Sequence, residues 1–398
     1  MGEKTSGIDL AQGISWVGVV DWNIRDFHGY ITRRGSSYNS YLILDKKIAL
    51  VDTVKHTFSK EFIKKIKQIT DLEKIDYIII NHVEMDHSSS LPIIANLAKN
   101  ATIITSQRGK DAIIEHYGTD FGVKTVKTGD ELNLGNRTLK FVEAPMLHWP
   151  DSMFTYIVEE KILLSNDAFG QHLASISRFD DQVNEHVLME EATTYYANIL
   201  MPFGSLISRK IQEIVKMGIT PKIIAPSHGV IWRTNPSKII QSYLDWSAGK
   251  SEQKAVVVFD TMWGSTDKMA RVITEGLASQ GVDVKLLKLR AAVKSEVVAE
   301  ILESKAVVVG SPTLNNQMYP SLSSFLTYIT GLKPKGKLWS FFGSYGWSRG
   351  AVKSMTEMAK KAGFEIFDSS LEVKFVPDTE DLRKSFEFGK QIATKIKS

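Results

Sequence analysis

The spacing of apolar positions divides the chain into two halves of different texture. In the C-terminal half, apolar runs of buried-strand type recur at residues 255–259, 284–287, 306–309 and 338–342. Between them lie stretches of helical period at 266–280, 294–303, 321–330 and 348–362. A weaker strand near 371–375 and a last helix from Thr379 complete the series. Such regular alternation of strand and helix predicts a doubly wound parallel five-stranded sheet. The N-terminal half is mixed. Short strands crowd its start, at 15–20, 41–45 and 47–51, then a helix at 58–69 leads to a strand at 76–80. A hairpin-like cluster follows at 138–143, 154–158 and 162–164. That pattern predicts two sheets with helices outside, and neither an internal repeat nor a low-complexity segment interrupts it. The small, polar stretch Ser247-Ala248-Gly249-Lys250-Ser251-Glu252-Gln253 reads as a linker, so the expected domains are 1–250 and 251–398.

Composition narrows the choice of function. At 398 residues the chain exceeds the size of a single core, which supports two domains. Hydrophobic residues are 43% and charged residues 24%, as in ordinary globular proteins. A net charge of +4, from 49 basic and 45 acidic residues, gives no reason to expect a nucleic-acid partner. The absence of cysteine excludes disulfides, thiolate-held metals, iron–sulfur clusters and a thiol nucleophile. No apolar run approaches the roughly 20 residues that span a bilayer. Residues 1–12 lack the apolar core of a signal peptide, so a soluble, cytoplasmic protein without a membrane partner is expected.

Two constellations carry chemistry. The strand at 76–80 runs directly into Asn81-His82-Val83-Glu84-Met85-Asp86-His87, which holds four ligand-type side chains at a strand end. His148, Asp167 and His228 each sit just past a later strand. Nine histidines scattered at random would not often share that context. The set resembles the metallo-β-lactamase fold, with Glu84 where most hydrolases of that superfamily carry histidine. Imidazole mixed with carboxylate suits iron or manganese better than zinc. Glu84, Asp86 and Asp167 bring three anionic oxygens, so two divalent ions would carry little net charge, with Asp167 the natural bridge.

The second constellation opens the C-terminal half. Thr261-Met262-Trp263-Gly264-Ser265-Thr266 follows the first strand there and starts a helix. Hydroxyls and backbone N–H groups at a helix N-terminus suit a phosphate, and the lack of Arg or Lys favours a monoester held by neutral donors, as in flavodoxins. Pro312-Thr313-Leu314-Asn315-Asn316 and Ser344-Tyr345-Gly346-Trp347 follow the third and fourth strands. Loops at the carboxyl ends of adjacent strands enclose a crevice, and Trp263, Tyr345 and Trp347 are placed to flank a flat ring.

A metallo-β-lactamase-like αββα half followed by a flavodoxin-like half, with both motif sets in order, resembles the flavodiiron (A-type flavoprotein) family over essentially the whole chain. The resemblance implies two non-haem iron ions and FMN in an oxidoreductase that reduces dioxygen to water, nitric oxide to nitrous oxide, or both. Carried over by position, one iron would take His82, Glu84 and His148, and the other Asp86, His228 and the less constant His87, with Asp167 bridging. His172 and Tyr196 resemble positions that supply protons. The family is typically a head-to-tail homodimer or dimer of dimers, and electrons are expected from an external, rubredoxin-like protein. The Lys333-Pro334-Lys335-Gly336-Lys337 segment is a candidate for steering such a donor. The alternative is a di-zinc lactamase-fold hydrolase with a flavodoxin-like accessory half; a pure electron carrier with a structural metal half is a further rival.

Overall fold

A computed structural model describes residues 8–397. The chain forms two compact units. One takes the chain up to Tyr195 together with Ser205–Leu244; the other takes Tyr196–Gly204 and everything from Asp245 on. The division falls within the helix Pro236–Ser247 rather than in the polar stretch after it. The reason is local: Trp246, in the last turn, packs on Tyr196 with ring centroids 5.0 Å apart, and Ser247 hydrogen-bonds the Tyr196 hydroxyl.

The first unit is built on two sheets. Seven strands run in the order Ile8–Ala11, Ile14–Trp16, Tyr41–Ile43, Ile48–Val51, Ile75–Ile79, Thr102–Ser106 and Lys124–Val126. Five more run Glu131–Asn133, Thr138–Glu143, Met153–Ile157, Ile162–Asn166 and Ile223–Pro226. Period-two alternation sorts their side chains into layers. Tyr41, Ile43, Ala49, Val51 and Ile79 of the first sheet meet Leu139, Phe141, Met153, Ile157, Ile162 and Leu164 of the second. The intervening Leu42, Leu50 and Ile78 face the other way, into a layer with Phe62, Ile66, Leu91, Ile94 and Ile113 from helices. This is the expected layered sandwich. The strand anticipated at 15–20 is two pieces, because Val19–Asp21 leaves the main sheet to pair with Ser36–Tyr38.

The second unit has five parallel strands in the order Asp283–Lys288, Glu252–Phe259, Ser304–Leu314, Leu338–Tyr345 and Glu365–Lys374. The two-residue strand Gln317–Met318 adds an antiparallel hairpin to the third of these. The last strand is ten residues long, twice what its apolar run suggested; its many exposed polar positions mark it as a sheet edge. The order reverses at Glu252–Phe259, so the loops after it and after Ser304–Leu314 diverge and leave a crevice at their carboxyl ends. Helices Ser265–Ala278 and Thr379–Lys397 cover one face, burying Met269, Ile273, Leu277, Phe388 and Ile392 against Ala255, Val257 and Phe259. They approach at Gly276 and Gly389, where added Cβ atoms would stand 2.1 Å from the Phe386 carbonyl oxygen and 2.3 Å from that of Ile273.

Within the Lys333–Lys337 segment, Lys333 and Lys335 are exposed but Lys337 is not. Lys337 is buried and donates to the Leu302 carbonyl at 2.6 Å, and burial lowers its pKa to about 8. It therefore cannot present a charge to a docking protein. Among the described residues, no helix is long and apolar enough to cross a membrane.

Replacing Gly276 with Ala should destabilise the second unit by about 1–3 kcal/mol, since a methyl group there overpacks against backbone. Thermal denaturation should show a lowered Tm; an unchanged Tm would mean the two helices do not meet at this point.

Candidate metal centre and flavin crevice

Strand Ile75–Ile79 lies inside the seven-stranded sheet, so the residues following it leave from a rigid base. Asn81 fixes their start. Its N–H donates to Asp52 Oδ1 at 2.7 Å, its carbonyl accepts from Met153 N–H at 2.8 Å, and its side-chain oxygen accepts from Thr155 at 2.7 Å. Both sheets thus hold one peptide. His82 and Glu84 follow in extended chain, and Met85–Ser88 forms one helical turn that carries Asp86 and His87. His148 comes from the turn after Thr138–Glu143, Asp167 from just past Ile162–Asn166, and His228 from just past Ile223–Pro226.

These seven residues converge as two groups that share one carboxylate. In the first, Glu84 Oε2 lies 3.4 Å from His82 Nε2 and 3.1 Å from His148 Nε2. Asp167 Oδ2 closes this group at 3.6 Å from His82 and 3.5 Å from His148. In the second, Asp86 Oδ2 lies 3.1 Å from both His87 Nε2 and His228 Nε2. The other oxygen of Asp167, Oδ1, stands 3.2 Å from His87 and 3.3 Å from His228. The ligand-type atoms within each of the sets His82/Glu84/His148/Asp167 and His87/Asp167/His228 lie within 4.8 Å of one another.

The surroundings orient this cage. His82 Nδ1 pairs with Asp151 Oδ2 at 2.9 Å, and the same oxygen accepts the Val83 N–H at 2.8 Å. His228 Nδ1 donates to the Ser37 carbonyl at 2.7 Å. Each ring therefore turns Nε2 inward. The Tyr195 hydroxyl donates to Asp167 Oδ1 at 3.0 Å, and Ser227 donates to the same oxygen at 3.2 Å. Burial and the neighbouring Asp167 charge hold the Tyr195 pKa well above its ordinary value, so it remains a donor. His28 Nε2 stands 3.3 Å from Glu84 Oε1.

His172 is buried beside the cage, its ring centroid 4.8 Å from His228 and 5.0 Å from Tyr195. Burial, with the nearby His228 and His28, pushes its pKa well down. Tyr196, expected at such a position, is turned elsewhere: its hydroxyl pairs with Ser247 at 3.1 Å. Successive helical residues diverge by roughly 100°, so only one of two adjacent tyrosines can face the cage. Tyr195 is that residue. Tyr195, His28, Asp151 and Asp52 were not foreseen. Asp52 and Asp151 had a legible signal, since Asp52 ends a strand and Asp151 closes the turn that bears His148. His28 lies in the tight turn between Asp26–Phe27 and Tyr30–Ile31 and had none.

The cage fits metal ions on its own chemistry. Asp86 Oδ1 and Oδ2, Asp167 Oδ2 and His228 Nε2 are buried without a hydrogen-bond partner. Burial alone would lower the histidine pKa values, yet the facing carboxylates outweigh it and raise His148 to about 9 and His228 to about 10. The protons so held occupy positions that cations fill equally well. Four imidazoles and three carboxylates form a donor set suited to a diiron centre.

The second unit gathers the flavin-type loops as foreseen. A cavity of 750 Å³ is lined by Thr261, Met262, Trp263, Ser265, Pro312, Thr313, Leu314, Asn315, Asn316, Ser344, Tyr345, Gly346 and Trp347. Ser348, Phe375 and Val376 also line it. The last two follow the edge strand, whose end was not read as part of the crevice. Gly264 and Thr266 do not line the cavity but build it. The Gly264 N–H donates to Thr261 Oγ1 at 3.0 Å, and the Thr266 hydroxyl pairs with Ser344 at 2.9 Å. No lysine or arginine is among the described lining residues. Trp263 and Trp347 are 95% and 91% exposed, a large apolar surface left bare beside a hollow with hydroxyls at its base. These features suit FMN.

A lactamase-type metal cage joined to a flavodoxin-type crevice defines a redox flavoprotein with a non-haem metal centre. Comparison with known proteins agrees. Residues 37–229 match the ODP family beta lactamase model, and residues 257–389 match the flavodoxin model. The chain is 50% identical to a nitric oxide reductase of Moorella thermoacetica over 98% of each chain. Its structure is similar to that of rubredoxin oxygen:oxidoreductase from Desulfovibrio gigas, with TM-score 0.95, 40% identity and 98% of each chain covered. It is also similar to the flavodiiron protein from Giardia intestinalis, with TM-score 0.94, 38% identity, and 98% of this chain and 96% of that one covered. The chain belongs to the flavodiiron proteins and is an oxidoreductase of that type.

Asp151 orients a ligand histidine, and loss of such a partner costs about 10–100-fold in metal affinity. Asp151→Ala should therefore lose iron to a chelator at correspondingly lower concentration while retaining its FMN. Iron retention equal to that of the parent protein would show that Asp151 does not hold His82 in place.

Proposed function

We propose that residues 1–250 form a diiron domain and residues 251–398 an FMN domain that together reduce nitric oxide to nitrous oxide, dioxygen to water, or both. The observation that carries this reading is the division of the Asp167 carboxylate, one oxygen toward each histidine–carboxylate group. His82, Glu84 and His148 would hold one iron, Asp86 and His228 the other with His87 as its less constant ligand, and Asp167 would be shared between the two groups. The similarity to a nitric oxide reductase and to an oxygen reductase supports both gases.

When bound, two ferrous ions and reduced FMN supply four electrons, the number that dioxygen needs to become two waters; coupling two nitric oxides takes two. The protein's own groups manage charge and protons. Glu84 is held well below the usual carboxylate range: burial raises it, but His148, His28 and His82 outweigh burial. Asp167 is held low in the same way by His87, His148 and His228. Both thus remain anionic ligands. Tyr195 keeps its proton and steadies the bridge. His172 Nδ1 pairs with Ser36 Oγ at 2.8 Å and its buried Nε2 has no hydrogen-bond partner; with its pKa well down the imidazole stays neutral, so its role is to pass a proton on rather than to store one.

An external donor, rubredoxin-like by similarity to the Desulfovibrio gigas protein, would supply the electrons. The exposed indoles around the crevice support a head-to-tail homodimer or dimer of dimers in which they are covered. The absence of cysteine supports a cytoplasmic setting.

Asp167→Ala removes the bridge. The variant should bind FMN normally and consume neither dioxygen nor nitric oxide above background in an anaerobically prepared, donor-reduced assay read by gas electrodes. Gas consumption at the parental rate would contradict the ligand assignment.

A further inference from the structure

Neutral groups line the crevice of the second unit, yet a charged pair adjoins its first loop. Asp260 follows strand Glu252–Phe259, immediately precedes Thr261 and is fully buried. Its Oδ1 accepts from Arg290 Nε and from the Thr261 N–H, both at 2.8 Å, and its Oδ2 accepts from the Ser321 hydroxyl at 2.6 Å. Arg290 comes from the turn Leu289–Ala291, at the end of the neighbouring strand Asp283–Lys288. Its Nη2 donates to the Thr261 carbonyl at 2.5 Å, and its guanidinium carbon lies 5.1 Å from the centre of the Tyr319 ring. Neither Asp260 nor Arg290 is among the residues lining the cavity.

The pair holds both backbone groups of Thr261. A trans peptide directs its carbonyl and its N–H oppositely, so anchoring the Thr261 carbonyl on Arg290 turns the Met262 N–H away from Arg290. Thr261 and Met262 both line the cavity, in the loop whose hydroxyls and N–H groups suit a phosphate. Electrostatics point the same way. A phosphate monoester carries about −1.5 to −2 charge at neutral pH. A buried carboxylate at the start of the loop opposes that charge, and taking the partner away from a buried pair leaves it uncompensated. Arg290 answers Asp260 without entering the crevice.

We propose that Arg290 is a positioning residue for the flavin phosphate: by neutralising Asp260 and fixing Thr261 it makes the crevice select a phosphorylated flavin over an unphosphorylated one. This rests on the FMN reading of the crevice. The test is titration of the full-length, flavin-depleted protein with FMN and with riboflavin, read by quenching of flavin fluorescence. The parent protein should prefer FMN. Arg290→Met should weaken FMN binding at least about tenfold, the order expected for one uncompensated charge near a phosphate, and leave riboflavin binding little changed. A merely structural role would move both ligands alike. Adding Asp260→Asn to Arg290→Met should restore most of the FMN affinity, because no unpaired carboxylate then remains. Asp260→Asn alone should raise the preference for FMN over riboflavin, because Arg290 then acts on the phosphate unopposed. In a parent that prefers FMN, the proposal is overturned if Arg290→Met binds FMN at the parental affinity, if it loses FMN and riboflavin equally, or if Asp260→Asn brings no recovery. Should Arg290→Met not fold, Asp260→Asn decides, and an unaltered or lowered preference for FMN in that variant overturns the proposal. A parent without any preference for FMN would overturn the FMN reading itself, and the proposal with it.

Discussion

A fully buried aspartate whose two oxygens face different histidine groups is the constraint on which the first unit depends. In a low-dielectric interior Asp167, Asp86 and the nearby Glu84 repel one another, and each carries a desolvation penalty. Positive charge must lie between them. In the protein alone, protons on His148 and His228 meet that need. Two metal ions would meet it better, because each would also satisfy an imidazole lone pair that Asp151 or the Ser37 carbonyl has turned inward.

The fold exists in the form that makes this arrangement rigid. Asp167 and His228 lie just past strand ends, the other cage residues lie on the short turns that follow strands, and the strands are locked by the apolar layer between the sheets. Asn81 shows the coupling most directly, since one residue is hydrogen-bonded to Asp52 on one side and to Met153 and Thr155 on the other. The second unit solves a different problem with the same device. Its loops gather at the carboxyl ends of parallel strands, where neutral hydroxyls line a hollow and bare indoles stand at its mouth. Most of the cage is buried, whereas the crevice of the second unit is bordered by two tryptophans left almost wholly exposed.

Much of this was legible in the sequence, for reasons that differ by element. The cage ligands were readable because each follows an apolar run, and a polar ligand at the end of a buried strand is seldom accidental. The flavin loops were readable because three of them fall after successive strands. Tyr195 was missed in favour of Tyr196 because helix phase decides between adjacent residues, and a π-turn at Tyr196–Leu200 disturbs that phase just where it matters. His28 was invisible because a tight turn has no periodicity to read. Lys337 was taken for a surface charge because nothing in a lysine-rich segment reveals which member turns inward to a helix-end carbonyl. The edge strand Glu365–Lys374 was read short because only part of an edge strand needs to be apolar.

The central claim is that the Asp167 cage holds a pair of irons. The most direct test is to count metals and FMN on the same purified sample from iron-replete cells and to locate the metals by anomalous scattering at the iron edge. The account predicts two irons for each FMN-bearing chain, one on each side of Asp167. A single peak, an empty cage, or zinc filling both positions in active protein would contradict it.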